Sequence, residues 1–343
     1  MNHTVIGIDI AKLVFQLYWI ESDTGEVKNL KLKRDKFLAY FVNLSPCLIG
    51  MEACGGAHHW ARELTKLGHT VKLVSGRLVK SFVMGNKNDA ADARAIWTVT
   101  QQPDTKEIAV KTVTQQAIIT LHRMRENLKK MRTMQVNELR GFLTEFGEVM
   151  PQGQAGLSKG IAEAIDRAAQ KLPGVVVEAL RDQWKRIGEL GERMADLERK
   201  LQSWLKTNVD ASRLMAIPGV GVLTATAAVA NMGDAQRFKS GRQFSASLGL
   251  VPAQTGTGGK VRLLGISKRG DVYLRTLLIH GARSALIHSK NPPRWIQELK
   301  QRRPMNVVVV ALANKMARMI WAMMAHDRAY DEHWVSQELR TAM

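Results

Sequence analysis

The first seventy-odd residues alternate short apolar runs with amphipathic stretches. Val5–Ile10 is a run rich in β-branched residues, and Val14–Ile20 and 28–33 continue in the same style, so three strands are expected. The segment TGEV, residues 24–27, supplies a turn through Gly25. A helical pattern follows over 34–42. A buried strand is expected at 47–51, a helix at 57–67 and a further strand at Thr70–Val74. Three strands, helix, strand, helix, strand is a mixed α/β order.

From Asp89 onward the period becomes helical and stays so. Leu121, Met124, Leu128 and Met131 alternate spacings of three and four, as do Ile187, Leu190, Met194, Leu197, Leu201 and Trp204. The second set keeps a heptad seam for more than two repeats. Two readings are open: the helices pair as an antiparallel hairpin or a dimer, or they are ordinary amphipathic members of a bundle. A break rich in Gly, Pro and Gln separates them at 150–160. The last third opens on IPGVG, residues 217–221, followed by the small-residue run VLTATAAVA. This is either a helix-hairpin-helix, whose turn offers backbone N–H groups to a phosphate, or a plain turn between core helices. The most apolar late stretch, Met305–Ala325, is interrupted by Lys315 and Arg318 and is expected to fall short of a membrane span.

Charge changes this picture. Lys and Arg number 50 against 31 Asp and Glu in 343 residues, a formal charge of +19. A chain this basic usually meets a polyanion. Nucleic acid leads, although a ribosomal or membrane-surface partner gives the same total. Residues 237–318 hold 16 Lys and Arg against two acids, Asp271 and Glu298. If six of these touch phosphates, binding weakens roughly a thousandfold between low and moderate salt. The two cysteines, Cys47 and Cys54, make neither a disulfide framework nor a zinc site and are expected as core thiols. No signal-peptide pattern opens the chain, so a cytoplasmic protein is expected.

Four acids stand where chemistry can use them. Asp9 lies on the first strand in GIDIAK, with Ile8 and Ile10 turned the other way, towards a core. Glu52 ends the apolar strand LIGME. Asp89 and Asp92 fall near a helix start in NKNDAADARA, three apart and so on one face. Unpaired, the four would raise one another's pKa. Divalent cations such as Mg²⁺ or Mn²⁺ remove that cost and leave room for phosphate oxygens. Each residue also has a plainer reading: Asp9 a turn residue, Glu52 a surface acid, Asp89 an N-cap, Asp92 a first-turn acid favoured by the helix dipole.

These motifs, with AIPGVGVLTATAAVANMGD, RQFSASLGLVP and GGKVRLLGISKRGDVYLRTLLIHGAR, closely resemble the DEDD insertion-sequence transposases related to the Piv invertase, over nearly the whole chain. The resemblance implies an α/β plus all-α protein. Residues 1–110 would form an RNase H-like, RuvC-like domain whose acids Asp9, Glu52, Asp89 and Asp92 bind Mg²⁺ or Mn²⁺. Residues 111–208 would form a helical coiled-coil segment, 209–330 a helical transposase domain with the helix-hairpin-helix-like motif, and 331–343 a tail. It implies site-specific recombination on double-stranded DNA of element ends and target, an element-encoded guide RNA, and a homo-oligomer, dimer or tetramer, with composite sites.

One position departs from the family. A serine nucleophile is expected shortly after GLVP, yet AQTGTGGK follows and the aligned residue is Thr257. Threonine carries the same hydroxyl, with an extra methyl that stiffens it. Thr255 is a second candidate, and a mere loop residue is the third reading. Lys260, Arg262, Lys268, Arg269, Arg275 and Arg283 are candidate phosphate contacts. His58, His59 and His280 are either acid–base groups or helix-surface residues. Two other functions compete with recombination: a metal-only RNase H-type nuclease or junction resolvase, and a nucleic-acid binder without catalysis, which leaves the four acids unexplained.

Overall fold

A computed structural model describes residues 4–86, 88–103, 105–149 and 154–331, with the backbone alone for 154–159. The chain divides into two compact units. One comprises residues 1–114 with 232–237, the other 115–231 with 238–343.

The first unit is built on strands β1 (Val5–Ile10), β2 (Val14–Ile20), β3 (Val27–Lys33), β4 (Leu48–Glu52) and β5 (Thr70–Val74), in the order β3-β2-β1-β4-β5. The pairs β1–β4 and β4–β5 are parallel, whereas β1–β2 and β2–β3 are antiparallel. This mixed five-stranded sheet is consistent with the RNase H-like domain that the resemblance implies. Helices α1 (Phe37–Val42) and α2 (Ala57–Lys66) cover one face, where Ile8, Phe15, Leu17, Phe37, Phe41, Trp60 and Leu64 form a buried core. Phe15, Phe37 and Trp60 meet edge to face at 4.5–5.1 Å, a geometry that suits the ring quadrupoles. Cys47 belongs to this core, and burial pushes its thiol up to about 11. Helix α3 (Gly76–Lys80) follows β5, and α4 (Asp89–Thr100) crosses the sheet.

The second unit holds α5 (Val113–Glu145), α6 (Gln154–Ala169), α7 (Gly174–Thr207), α8 (Val209–Leu214), α9 (Val222–Met232), α10 (Gly241–Ser247), the hairpin β6 (Pro252–Thr257) and β7 (Lys260–Ile266), α11 (Val272–His288), α12 (Arg294–Arg302) and α13 (Met305–Ala325). Helices α5 and α7 run antiparallel: Arg125 pairs with Glu198 at 2.6 Å, and Gln183 donates to Glu138 at 3.0 Å. The seam on α7 is where its spacing put it, with Ile187, Leu190, Leu197 and Leu201 buried. The seam on α5 is not. Met124 and Met131 are exposed, and the buried residues are Ile118, Ile119, Val136, Leu139 and Leu143. Over the C-terminal half the cause is α6, which occupies most of the expected break and covers α5 with Ile161, Ala164, Ile165 and Ala168; over the N-terminal half Ile118 and Ile119 pack against Leu201 of α7 and Ala230 of α9. Residues 150–153 of that break lie outside the described residues, as does the expected tail beyond Asp331.

The helical middle segment and the C-terminal third, expected as two domains, share this unit. The IPGVG turn joins α8 to α9 and presses Gly219 against Gly281 of α11, where a side chain on either residue would overlap the other's carbonyl. The Val220 N–H donates inward to the Ile217 carbonyl at 2.9 Å. Helix α13 is long and apolar enough to cross a membrane by length and composition, contrary to the expectation that it falls short. In this structure it packs against α10 and α11 and buries Val308, Ala313, Met316 and Ile320.

Candidate metal and nucleic-acid sites

Two glycines decide where the acids fall. A side chain on Gly7 of β1 would overlap the backbone of α4 at Ala93 and Trp97, and one on Gly50 of β4 would overlap Thr100. Their absence lets α4 lie directly on the sheet. Alternation then places Asp9 and Glu52, each two residues further on, on that same face. The parallel register sets Ile8 opposite Met51, so Asp9 and Glu52 come next at the same end of neighbouring strands. Asp9 lies about 7 Å beyond Gly7 along its strand, and Asp92 and Asp89 lie roughly 4–9 Å back along α4 from its contact with Gly7. The first turn of α4 thus comes over the strand ends. Asn88, rather than Asp89, caps that helix, accepting the Ala91 N–H at 2.8 Å. Both aspartates are therefore free of the capping role. Gly76, at the start of α3, stands so close to the Glu52 carboxylate that a Cβ would overlap it.

The electrostatics agree. The Asp9 carboxyl is pushed up to about 6, first by burial, then by Asp92, Asp89 and Glu52, against a smaller lowering from the Ile10 N–H. The Cys54 thiol is raised by burial and by the same Glu52 and Asp9 charges. Among the described residues none of the four acids forms an ion pair. An all-carboxylate donor set with no cation partner fits a hard divalent ion. As they stand, the side chains are near enough to raise Asp9, but among the described residues no three His, Cys, Asp or Glu groups are close enough to share one ion.

The segment after GLVP is the two-stranded hairpin β6–β7, with Thr255 and Thr257 on its first strand. Thr257 pairs with Lys260 across Gly258 and Gly259, both at positive φ (55° and 80°), a two-residue turn of the kind that suits a hairpin. Thr255 pairs with Arg262. Alternation puts Thr255, Thr257, Lys260 and Arg262 on one face, so both candidate hydroxyls stand beside two cations. Nearly all of the hairpin is exposed.

A family model described as "Transposase IS116/IS110/IS902 family" matches residues 211–299, and a DEDD transposase model of the IS110 type matches residues 6–148. A probable family 20 transposase of Pseudomonas aeruginosa is 45% identical over 335 residues, covering 96% of this chain and 99% of that one. The transposase for insertion sequence element IS1111A of Coxiella burnetii is 40% identical over 330 residues, 95% of this chain and 91% of that one. The transposase for insertion sequence element IS1328 of Yersinia enterocolitica is 38% identical over 335 residues, 96% and 99% of the two chains. The chain belongs to the IS110 family of DEDD transposases. Such a transposase cleaves and transfers DNA, so DNA is its partner.

Not every basic residue of the transposase is offered to DNA. Arg275 is 7% exposed, and its Nη1 donates to the carbonyls of Leu248 and Arg269, both at 2.8 Å. It ties the GLVP turn to the loop before α11, which corrects its reading as a phosphate contact. Lys268 is held at φ 52°, its N–H donating to Gly249. Lys260, Arg262 and Arg283 are exposed, and Arg283 donates to Asn306 at 3.2 Å. His58 accepts the Lys111 N–H at 3.2 Å, so one ring nitrogen is already used. His59 is exposed against Trp60, and His280 is exposed on α11.

Sequence reasoning missed His122. It is buried on α5, with Nδ1 2.9 Å from the Tyr273 hydroxyl and Nε2 3.0 Å from Thr226 Oγ1. The Thr226 hydroxyl donates to Val222 O, so it accepts from the ring, and in the neutral ring Nδ1 then accepts from the Tyr273 hydroxyl. Burial favours the neutral ring. Burial, then Arg125, lowers its pKa to about 4. Its place at the end of the apolar stretch AIITL of α5 is the only signal of it in the sequence.

Proposed function

We propose that this transposase recombines DNA with the acids of its first unit and a hydroxyl of its hairpin. Asp9, Glu52, Asp89 and Asp92 would hold Mg²⁺ or Mn²⁺, and a bound divalent ion supplies charge neutralisation at the phosphoryl oxygens. Thr257 is the nucleophile. Its oxygen bonds to phosphorus, its proton passes to solvent, and the deoxyribose oxygen leaves as a hydroxyl. Attack by the hydroxyl of a second strand reverses the step and frees Thr257. Lys260 and Arg262, on the same hairpin face, hold the phosphate. The family resemblance adds an element-encoded guide RNA and an oligomer with composite sites, and the +19 charge supports a large polyanionic load.

The observation that carries this reading is the raised Asp9 carboxyl, which feels the charges of Asp92, Asp89 and Glu52 and, among the described residues, has no cation paired with it. Strand cleavage on an element-end substrate tests it. Asp9→Asn is expected to abolish cleavage while the protein still binds DNA. Thr257→Ala is expected to remove both cleavage and a covalent protein–DNA adduct, and Thr257→Ser to retain them. Cleavage by Thr257→Ala without any adduct would establish water as the attacking group and make the enzyme a metal-only nuclease. Full activity in Asp9→Asn would remove the metal site altogether.

A further inference from the structure

Helix α11 carries an exposed stripe that neither site uses. Val272, Thr276, His280, Arg283, Ser284 and Ile287 are exposed at spacings of three and four, on one face from end to end. The helix VYLRTLLIHGARSALIH contains no acid. Its N-terminus lies just after the hairpin, and its C-terminus reaches a strongly basic corner. From 283 to 303 the chain has six cations, Arg283, Lys290, Arg294, Lys300, Arg302 and Arg303, against one acid, Glu298. That acid is already taken by Arg294 at 2.8 Å. Lys290, Arg302 and Arg303 are exposed, and among the described residues none forms an ion pair. Arg283 reaches Asn306, which draws α11 and the first turn of α13 together beside Arg302 and Arg303. Pro293 and Pro304 precede α12 and α13, so the corner is held by restrained backbone.

We propose that this stripe and its basic corner form a track for duplex DNA, leading away from the hairpin. Cations without balancing acids, interspersed with Ser289, Asn291, Gln297 and Gln301, are the groups that hold phosphates and sugars without reading bases. The track spans the 17 residues of α11, about 25 Å, or roughly seven base pairs of duplex. It therefore grips the backbone on the order of seven base pairs from the hairpin's phosphate. The proposal rests on DNA as substrate and not on Thr257 as nucleophile.

The test is binding and hydroxyl-radical footprinting of the full chain on element-end duplex without divalent metal, so no cutting is needed. Lys290→Gln/Arg302→Gln/Arg303→Gln is expected to lower the slope of log affinity against log salt by about 3. It is also expected to erase protection roughly seven base pairs from the phosphates whose protection is lost in Lys260→Gln/Arg262→Gln. The charge-conserving Lys290→Arg/Arg302→Lys/Arg303→Lys is expected to keep both. An unchanged slope and footprint in a triple variant that melts like the parent overturns the track. So does a loss confined to binding of element-encoded RNA.

Discussion

At the residue scale, three glycines matter as much as the acids. Gly7 and Gly50 admit α4 to the sheet, and Gly76 leaves space for the Glu52 carboxylate. Gly76→Ala is therefore expected to turn Glu52 away from Asp9 without disturbing the core beneath. Supporting residues of this kind are worth roughly 10- to 100-fold in metal affinity or activity. A titration of strand cleavage against Mg²⁺ checks it: the midpoint should move to higher concentration while the melting temperature holds. A Gly76→Ala transposase with the parent's metal requirement would show that the position of Glu52 is not set there. The sequence displayed all four acids because each sits at the end of a legible strand or helix. It did not display the glycines' role, since close approach of backbones leaves no mark beyond the residue type. Arg275 misled for the opposite reason. An arginine within a basic stretch reads as a surface cation, and only the fold shows the two carbonyls that bury it.

At the element scale, strands were legible and helix faces less so. Strands β1, β2 and β5 fall on their apolar runs, because a half-buried sheet demands alternation locally. A helix of 33 residues can satisfy spacings of three and four along more than one stripe, and α5 does so. Which stripe is buried depends on α6 over the C-terminal half, whose presence the Gly- and Pro-containing break concealed, and on α7 and α9 over the N-terminal half. His122 belongs to the stripe that won, and it gives the second unit a pH dependence. Its folded pKa, about 4, lies below the ordinary 6.5. The unfolded chain thus binds the extra proton first as pH falls. Stability from the neutral ring is fully present above pH 6.5 and is lost progressively towards pH 4, on the order of 3 kcal/mol in all. Thermal melts between pH 7 and 4 check this. His122→Gln is expected to lower stability at pH 7 and to flatten the decline. An unchanged pH profile in that variant would place the sensitivity elsewhere.

At the scale of the whole molecule, the acids and the buried histidine lie in different units, so each unit can be addressed separately. All four acids belong to the first unit and His122, Tyr273 and Thr226 to the second. A ligand that binds only the folded state stabilises it by RT ln(1 + [L]/Kd), about 2.7 kcal/mol at a hundredfold excess over Kd. Mg²⁺ is therefore expected to raise the transition of the first unit and to leave the pH-sensitive transition of the second where it was. Calorimetry with and without Mg²⁺, at pH 7 and pH 5, separates the two responses. Asp9→Asn should reduce the Mg²⁺ shift and spare the pH response, whereas His122→Gln should do the reverse. A Mg²⁺ shift of equal size in Asp9→Asn would mean that the ion binds away from the four carboxylates. The arithmetic of charge points the same way: 50 cations against 31 acids leave the chain short of negative charge, so four carboxylates with no ion pair among the described residues are a departure that binding has to explain.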